Sequence, residues 1–269
     1  MLKFPDIDPV AVQLGPLAIH WYGIAYLVGI GAGWMLLSAR AARPTSGWSG
    51  DEVADLIFYS AFGAVLGGRI GYGLFYNFGA YLQAPWELLA VWRGGMSFHG
   101  GIVGGMLALW LFARRRQRAF LQVSDFMLPA VPIGLCLGRI ANFVNQELWG
   151  APSTLPWAVV FTHPAAGGVP RHPSQLYEAA LEGILLFVVL NCLCRKPRRI
   201  GSITATFLIG YAIIRLGIEF VREPDAHIGY LVGHWLTLGQ VLSMPMLLGG
   251  LAILLWVPAR SISALEKAP

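Results

Sequence analysis

Gly183-Ile184-Leu185-Leu186-Phe187-Val188-Val189-Leu190-Asn191-Cys192-Leu193-Cys194 runs directly into Arg195-Lys196-Pro197-Arg198-Arg199. With the residues before it, this apolar run spans 174–194, close to the roughly 20 residues that a helix needs to cross a bilayer. An apolar run that ends in a tight basic cluster is the mark of a membrane helix entering a cytoplasmic loop. The same pattern recurs where the run 95–113 meets Arg114-Arg115-Arg116-Gln117-Arg118. Working outward from these two, the chain holds seven runs: 18–38, 55–76, 95–113, 125–144, 174–194, 202–220 and 238–258. The expectation is an all-α integral membrane protein with seven transmembrane helices, a single polytopic membrane domain over 1–269.

Composition agrees with that class. Hydrophobic residues make up 56% of the 269 and charged residues 12%, against about 25% charged in soluble domains. This excludes a soluble globular enzyme, a disordered chain and a disulfide-stapled secreted domain. The longest connection, 145–173, is rich in Pro and Gly and reads as a small extramembrane head or arm. The net charge of +5 belongs to loop clusters without the aromatic interleaving that stacks bases, so no nucleic acid is expected. Cys136, Cys192 and Cys194 lie in apolar runs and form no disulfide framework. The segment Met1 to Pro9 lacks the basic start of a cleavable signal peptide, so the first run is expected to stay in the protein.

Lys and Arg set the orientation. With the amino terminus outside and the carboxy terminus inside, 12 of the 19 basic residues fall on the cytoplasmic side: Arg40, Arg43, the two clusters, Arg260 and Lys267. Chemistry is then expected on the outer, periplasmic side, because His20, His99, His163, His172, His227 and His234 all fall at or beyond outer helix ends.

Arginine inside a membrane helix is costly and marks function or a structural pair. Arg139 and Arg215 each lie about five residues from the outer end of a helix, roughly 8 Å deep. His99, four residues into its own run, shares that level. Two arginines at one depth make an anion clamp, suited to a lipid phosphate. Tyr211, Arg215, Glu219 and Arg222 recur at spacings of four, four and three and form one stripe. Arg139, Asn142 and Gln146 share a face, as do Arg69, Tyr72 and Tyr76. A packing-and-register ladder, with Glu219 neutralising an arginine, is the alternative. Arg69 reads equally as lipid-binding or structural. His99 lies among six glycines in residues 94–105. Gly100/Gly104 and Gly101/Gly105 are small-xxx-small pairs that let helices approach and leave room for a ligand. Glu178 and Glu182, at i and i+4, could bind metal, but there is no HExxH pattern and no other carboxylate-rich helix, so no metal and no cofactor are expected. Tyr22 reads as an interfacial aromatic or a site residue.

These motifs together resemble the bacterial prolipoprotein diacylglyceryl transferase family. The resemblance rests on His20-Trp21-Tyr22-Gly23, on His99-Gly100-Gly101, on Arg171-His172-Pro173-Ser174-Gln175-Leu176-Tyr177-Glu178, and on Tyr211 to Arg222 followed by Glu223-Pro224-Asp225. Its most specific element is Gly138-Arg139-Ile140-Ala141-Asn142-Phe143-Val144-Asn145-Gln146-Glu147-Leu148-Trp149-Gly150. Ala141 and Gln146 stand where small residues such as Gly are expected in relatives. The resemblance implies transfer of the sn-1,2-diacylglyceryl group of phosphatidylglycerol to the thiol of a lipobox cysteine in a prolipoprotein signal peptide. A thioether forms and glycerol 1-phosphate is released, at the outer face of the bacterial inner membrane. It implies that Arg139 binds the lipid head group, that Arg215 is a second essential arginine and that His99 is the catalytic histidine. Tyr22, Asn142, Glu147, Gly150, Tyr211, Glu219 and Arg222 are implied at the substrate. The thiol proton could also pass to Arg222, Glu147 or water. Two other classes compete: a lipid or anion transporter using the same arginines without chemistry, and a structural membrane subunit.

Overall fold

The computed structural model describes residues 1–90, 94–224, 229–233 and 235–256. The expectations attached to Asp225, His227, His234, Arg260, Lys267 and the end of the 238–258 run lie outside the described residues. The chain is mostly helical. Its helices are α1 (Trp21–Ala41), α2 (Gly50–Phe75), α3 (Phe78–Gln83), α4 (Phe98–Arg115), α5 (Phe120–Met127), α6 (Val131–Val144), α7 (Ser174–Glu178), α8 (Leu186–Leu193), α9 (Ser202–Ile218) and α10 (Leu238–Trp256). A π-helical turn, Ala179–Leu185, joins α7 to α8 as one helix, Ser174–Leu193. Trp21–Ala41, Gly50–Phe75, Ser174–Leu193 and Leu238–Trp256 are long and apolar enough to cross a membrane, and α5 with α6 adds a fifth if the two form one broken span. The protein is a multi-pass membrane protein.

Each apolar run contains a helix, but two also hold a strand or a break. Residues 18–20 of the first run belong to strand β3 (Leu17–His20), which pairs antiparallel with β2 (Val10–Leu14) before α1 begins. The run 125–144 is broken between Met127 and Val131, where Pro129 and Pro132 each lack the N–H that would continue the helical ladder.

The chain divides into two compact units, Met1–Gly33 with Met127–Pro269, and Trp34–Phe126. In the second unit α2 starts with a capping box: Ser49 Oγ accepts from the Glu52 N–H at 3.1 Å and the Glu52 carboxylate accepts from the Ser49 N–H at 3.0 Å. Arg118 binds Glu52 at 2.9 Å and lies over Trp48, which stacks on Phe126 at 4.0 Å. Arg116 pairs with Asp55. The basic cluster thus also ties the end of α4 to the start of α2. Glycines let these two helices meet: a Cβ on Gly67 would sit 2.3 Å from the Gly100 carbonyl, and one on Gly104 would sit 2.1 Å from the Gly63 carbonyl. In lipid, such close packing stabilises through dispersion rather than through the hydrophobic effect.

Arg69 is structural here. Its guanidinium, 3% exposed, donates to the carbonyls of Glu87, Leu88, Gly94 and Gly95 and faces the Tyr81 ring at 5.7 Å. It closes the segment after α3 onto α2.

In the first unit, β1 (Leu2–Lys3) lies parallel to β4 (Val159–Val160), which pairs antiparallel with β5 (Pro170–Arg171). The 145–173 arm therefore takes its third strand from the amino terminus, around a core of Phe4, Val159, Phe161 and Ala166. Below it, Leu186 and Leu190 of α8 pack on Ile203 and Phe207 of α9. A hairpin of β6 (Tyr230–Val232) and β7 (Leu236–Thr237) leads into α10.

Candidate active site

Helix α6 carries Arg139, and α9 carries Arg215 one turn before its end. Both meet Glu178 and Glu182, carboxylates on α7 and the π-helical turn that are 0% exposed. Glu178 takes one arginine on each oxygen: Arg139 Nε at 2.7 Å from Oε2 and Arg215 Nη1 at 3.0 Å from Oε1. Glu182 sits further off, 3.3 Å from Arg139 Nη2 and 3.9 Å from Arg215 Nη1. Arg215 also pairs with Glu219, which accepts from Thr237 Oγ1 and lies 3.4 Å from Arg222 Nη1. Tyr211, one turn before Arg215, stacks on Phe207 and lies within electrostatic range of both arginines.

Three guanidiniums, Arg139, Arg215 and Arg222, therefore stand against three carboxylates, Glu178, Glu182 and Glu219. Of the expected stripe, Tyr211 and Arg215 lie on α9, Glu219 caps it, and Arg222 follows in a bridge to Gly150. The two arginines are brought together, through a shared carboxylate rather than as a bare pair of cations. Buried ions need such partners, since isolation in a low dielectric costs several kcal/mol each. Glu178 and Glu182 are the residues whose part sequence reasoning missed. Two carboxylates at i and i+4 in an otherwise apolar helix had to meet cations, and that signal was present.

The turn after α6 builds the rest. Asn142 Nδ2 donates to Glu147 Oε1 at 2.7 Å, and the Asn142 carbonyl accepts from the Glu147 N–H at 3.0 Å. Gln175 Nε2 donates to the Glu147 carbonyl and Ser174 Oγ to that of Leu148. Gln146 adopts φ +51°, the left-handed region that favours glycine, which accounts for the small residue expected there. Its side chain accepts from the N–H groups of Thr162 and His163. Gly150 donates its N–H to the His172 carbonyl and bridges to Arg222. A Cβ at Gly150 would lie 2.5 Å from the Val221 carbonyl, so this position serves close backbone approach. Arg171 fixes the same loop by donating to the Gly150 and Ala166 carbonyls and pairing with Glu223. Tyr22 opens α1 with its ring 5.3 Å from that of Tyr26, which lies in the electrostatic range of Glu147.

Of the residues expected at the site, His99 belongs to the second unit. It is exposed on the first turn of α4, behind Ser97, whose Oγ accepts from the Gly100 N–H at 3.2 Å. The glycines around it are used unequally. Gly100 and Gly104 are filled by α2, whereas a Cβ on Gly101 or Gly105 would meet nothing nearer than 3.4 Å and 3.9 Å.

Residues 9–256 match the family described as prolipoprotein diacylglyceryl transferase. The chain belongs to this family. Similar proteins named phosphatidylglycerol–prolipoprotein diacylglyceryl transferase come from Pseudomonas paraeruginosa, 53% identical over 268 residues with all of both chains covered, and Pseudomonas fluorescens, 52% identical over 97% of this chain and 99% of the relative. A third, from Pseudomonas syringae pv. tomato, is 51% identical over all of this chain and 99% of its own.

Proposed function

We propose that the protein transfers the sn-1,2-diacylglyceryl group of phosphatidylglycerol to the lipobox cysteine of a prolipoprotein signal peptide, the first step of lipoprotein maturation. The observation that carries the mechanism is the Arg139–Glu178–Arg215 bridge. It holds two guanidiniums beside each other, where a single phosphate could meet both.

The substrate sulfur attacks the sn-3 carbon of the diacylglyceryl group. The C–S bond forms as the C–O bond breaks, and the electron pair leaves on the phosphate oxygen of glycerol 1-phosphate. Charge grows on that oxygen in the transition state. Arg139 and Arg215, already oriented by Glu178 and Glu219, stabilise it without reorganisation. The thiol is a weak nucleophile until it loses its proton. His99 takes that proton in this scheme, since it is exposed and an imidazole is a competent base at neutral pH. Asn142, Glu147 and Gly150 shape the turn beside the arginines, Tyr22 and Tyr211 border it, and Glu219 and Arg222 brace Arg215.

The same reading takes the chain as one polytopic domain of seven spans, amino terminus outside and carboxy terminus in the cytoplasm. It places the site and the 145–173 arm on the periplasmic side of the inner membrane. The asymmetry of Lys and Arg supports this. A transporter would want a path to the inner side and polar groups near the midplane, and a purely structural subunit would lose stability before activity when Arg139 is replaced. The test is transfer by purified Arg139→Ala and His99→Ala proteins of unchanged thermal stability. Loss of transfer in both is expected; full transfer in both refutes the mechanism.

A further inference from the structure

The two carboxylates that meet the arginine pair are not equivalent. Glu178 contacts both arginines at 2.7 and 3.0 Å, one on each oxygen. Every contact of Glu182 is longer, from 3.3 to 3.9 Å, although each carboxylate keeps one buried oxygen without a hydrogen-bond partner, Oε2 of Glu178 and Oε1 of Glu182. Their backbones differ as well. Glu178 closes the regular turn of α7, whereas Glu182 sits inside the π-helical turn Ala179–Leu185. A π turn carries one extra residue in the helix, so the two carboxylates leave the helix from different backbone settings. Gly183 anchors the far side of that turn, where a Cβ would lie 2.5 Å from the Cβ of Cys136 on α6.

Charge sharpens the contrast. Among the described residues three guanidiniums stand against three carboxylates, which leaves these six side chains without net positive charge to offer an anion. A phosphodiester entering between Arg139 and Arg215 has to displace one carboxylate or bear its repulsion. The loosely held one is Glu182.

We propose that Glu178 is a positioning residue, the strut that spaces Arg139 and Arg215, and that Glu182 is a place-holder anion which the lipid phosphate displaces. The empty site then keeps its buried arginines neutralised, and the bound site exchanges one carboxylate for one phosphate. This rests on the transferase reading of the arginine pair and deepens it. Glu182 sets how tightly the anionic substrate and product are held, and Glu178 sets how well the arginines meet the developing charge.

The experiment uses the full chain in phosphatidylglycerol-containing nanodiscs with a lipobox peptide, and compares Glu182→Gln with Glu178→Gln. Removing the competing charge in Glu182→Gln lowers KM for phosphatidylglycerol, and the inhibition constant of added glycerol 1-phosphate, by about tenfold, a change of roughly 1.4 kcal/mol. Glu178→Gln lowers kcat by about tenfold or more and leaves KM nearly unchanged, as expected when an interaction matters only in the transition state, and Glu178→Asp restores part of kcat. If Glu182→Gln instead raises KM, or lowers kcat as Glu178→Gln does, both residues are struts and the place-holder is wrong. Should the Gln variant not fold, Glu182→Met keeps the length without the charge and carries the same expectation. Failure of both to fold would mean that the network needs this charge in every state, which also overturns the proposal. Failure of the underlying reading looks different: Arg139→Lys and Arg215→Lys would then leave both kcat and KM unchanged.

Discussion

Neighbouring glycines on α4 give the sharpest test of how the second unit is packed. An alanine at Gly104 would place its Cβ 2.1 Å from the Gly63 carbonyl and 2.8 Å from the Cα of Gly67. Ordinary contact begins near 3.4 Å, so α2 and α4 must part by about 1.3 Å or distort, as backbone cannot rotate aside like a side chain. Overpacking of this kind costs about 1–3 kcal/mol, and the upper end applies here. At Gly105 a Cβ meets nothing nearer than 3.9 Å, and replacing a helical Gly by Ala contributes up to about 1 kcal/mol of stability. Gly104→Ala should therefore lower the thermal unfolding midpoint in detergent while Gly105→Ala holds or raises it, a contrast of about 3 kcal/mol between adjacent residues. The functional consequence runs through His99, five residues and roughly 8 Å upstream on the same helix. Transfer per folded molecule should fall in Gly104→Ala and persist in Gly105→Ala. Equal shifts of the midpoint in the two variants would refute the packing described.

Other consequences are equally direct. Arg69→Met strips the donors from four backbone carbonyls and should cost about 3 kcal/mol or more in unfolding experiments, with KM per folded molecule unchanged. Gly239→Ala would set a Cβ 2.6 Å from the Glu219 carboxylate; displacement of Glu219 from Arg215 should lower kcat about tenfold or more, measured by peptide lipidation. Burial pushes the His172 imidazole below its ordinary value, so the folded state resists its protonation. The stability this contributes is fully present above the unfolded value near 6.5 and is lost as pH falls through the lower folded value. Melting between pH 8 and pH 5 should show that slope, and His172→Asn should flatten it.

The parts of this molecule that were legible in sequence are those set by local pattern. Hydropathy located a helix in every run, and the spacing of four, four and three brought Arg215, Glu219 and Arg222 into one charged cluster, although α9 ends at Ile218. Proline chemistry was also legible at Pro129 and Pro132, although the run 125–144 masked the break it causes. What escaped depends on partners distant in sequence. The spacing of Glu178 and Glu182 says that they share a face, and nothing local says that the face meets Arg139 and Arg215, 43 and 37 residues from Glu182 and Glu178 respectively. The π-helical turn has no compositional mark. Arg69 is satisfied by carbonyls, which every residue carries, so its structural role has no signature. The pairing of Leu2–Lys3 with β4 likewise needs the folded arm before the strand has an edge to join.

The most direct test of the central claim is mass spectrometry of a lipobox peptide incubated with the purified protein and phosphatidylglycerol, beside the same peptide with Cys replaced by Ser. The account predicts one diacylglyceryl mass added to the Cys peptide alone, with glycerol 1-phosphate released in equal amount and both lost in Arg139→Ala. An unmodified Cys peptide, with lipid still bound in an Arg139-dependent way, would contradict it and leave a lipid-binding protein without transfer chemistry.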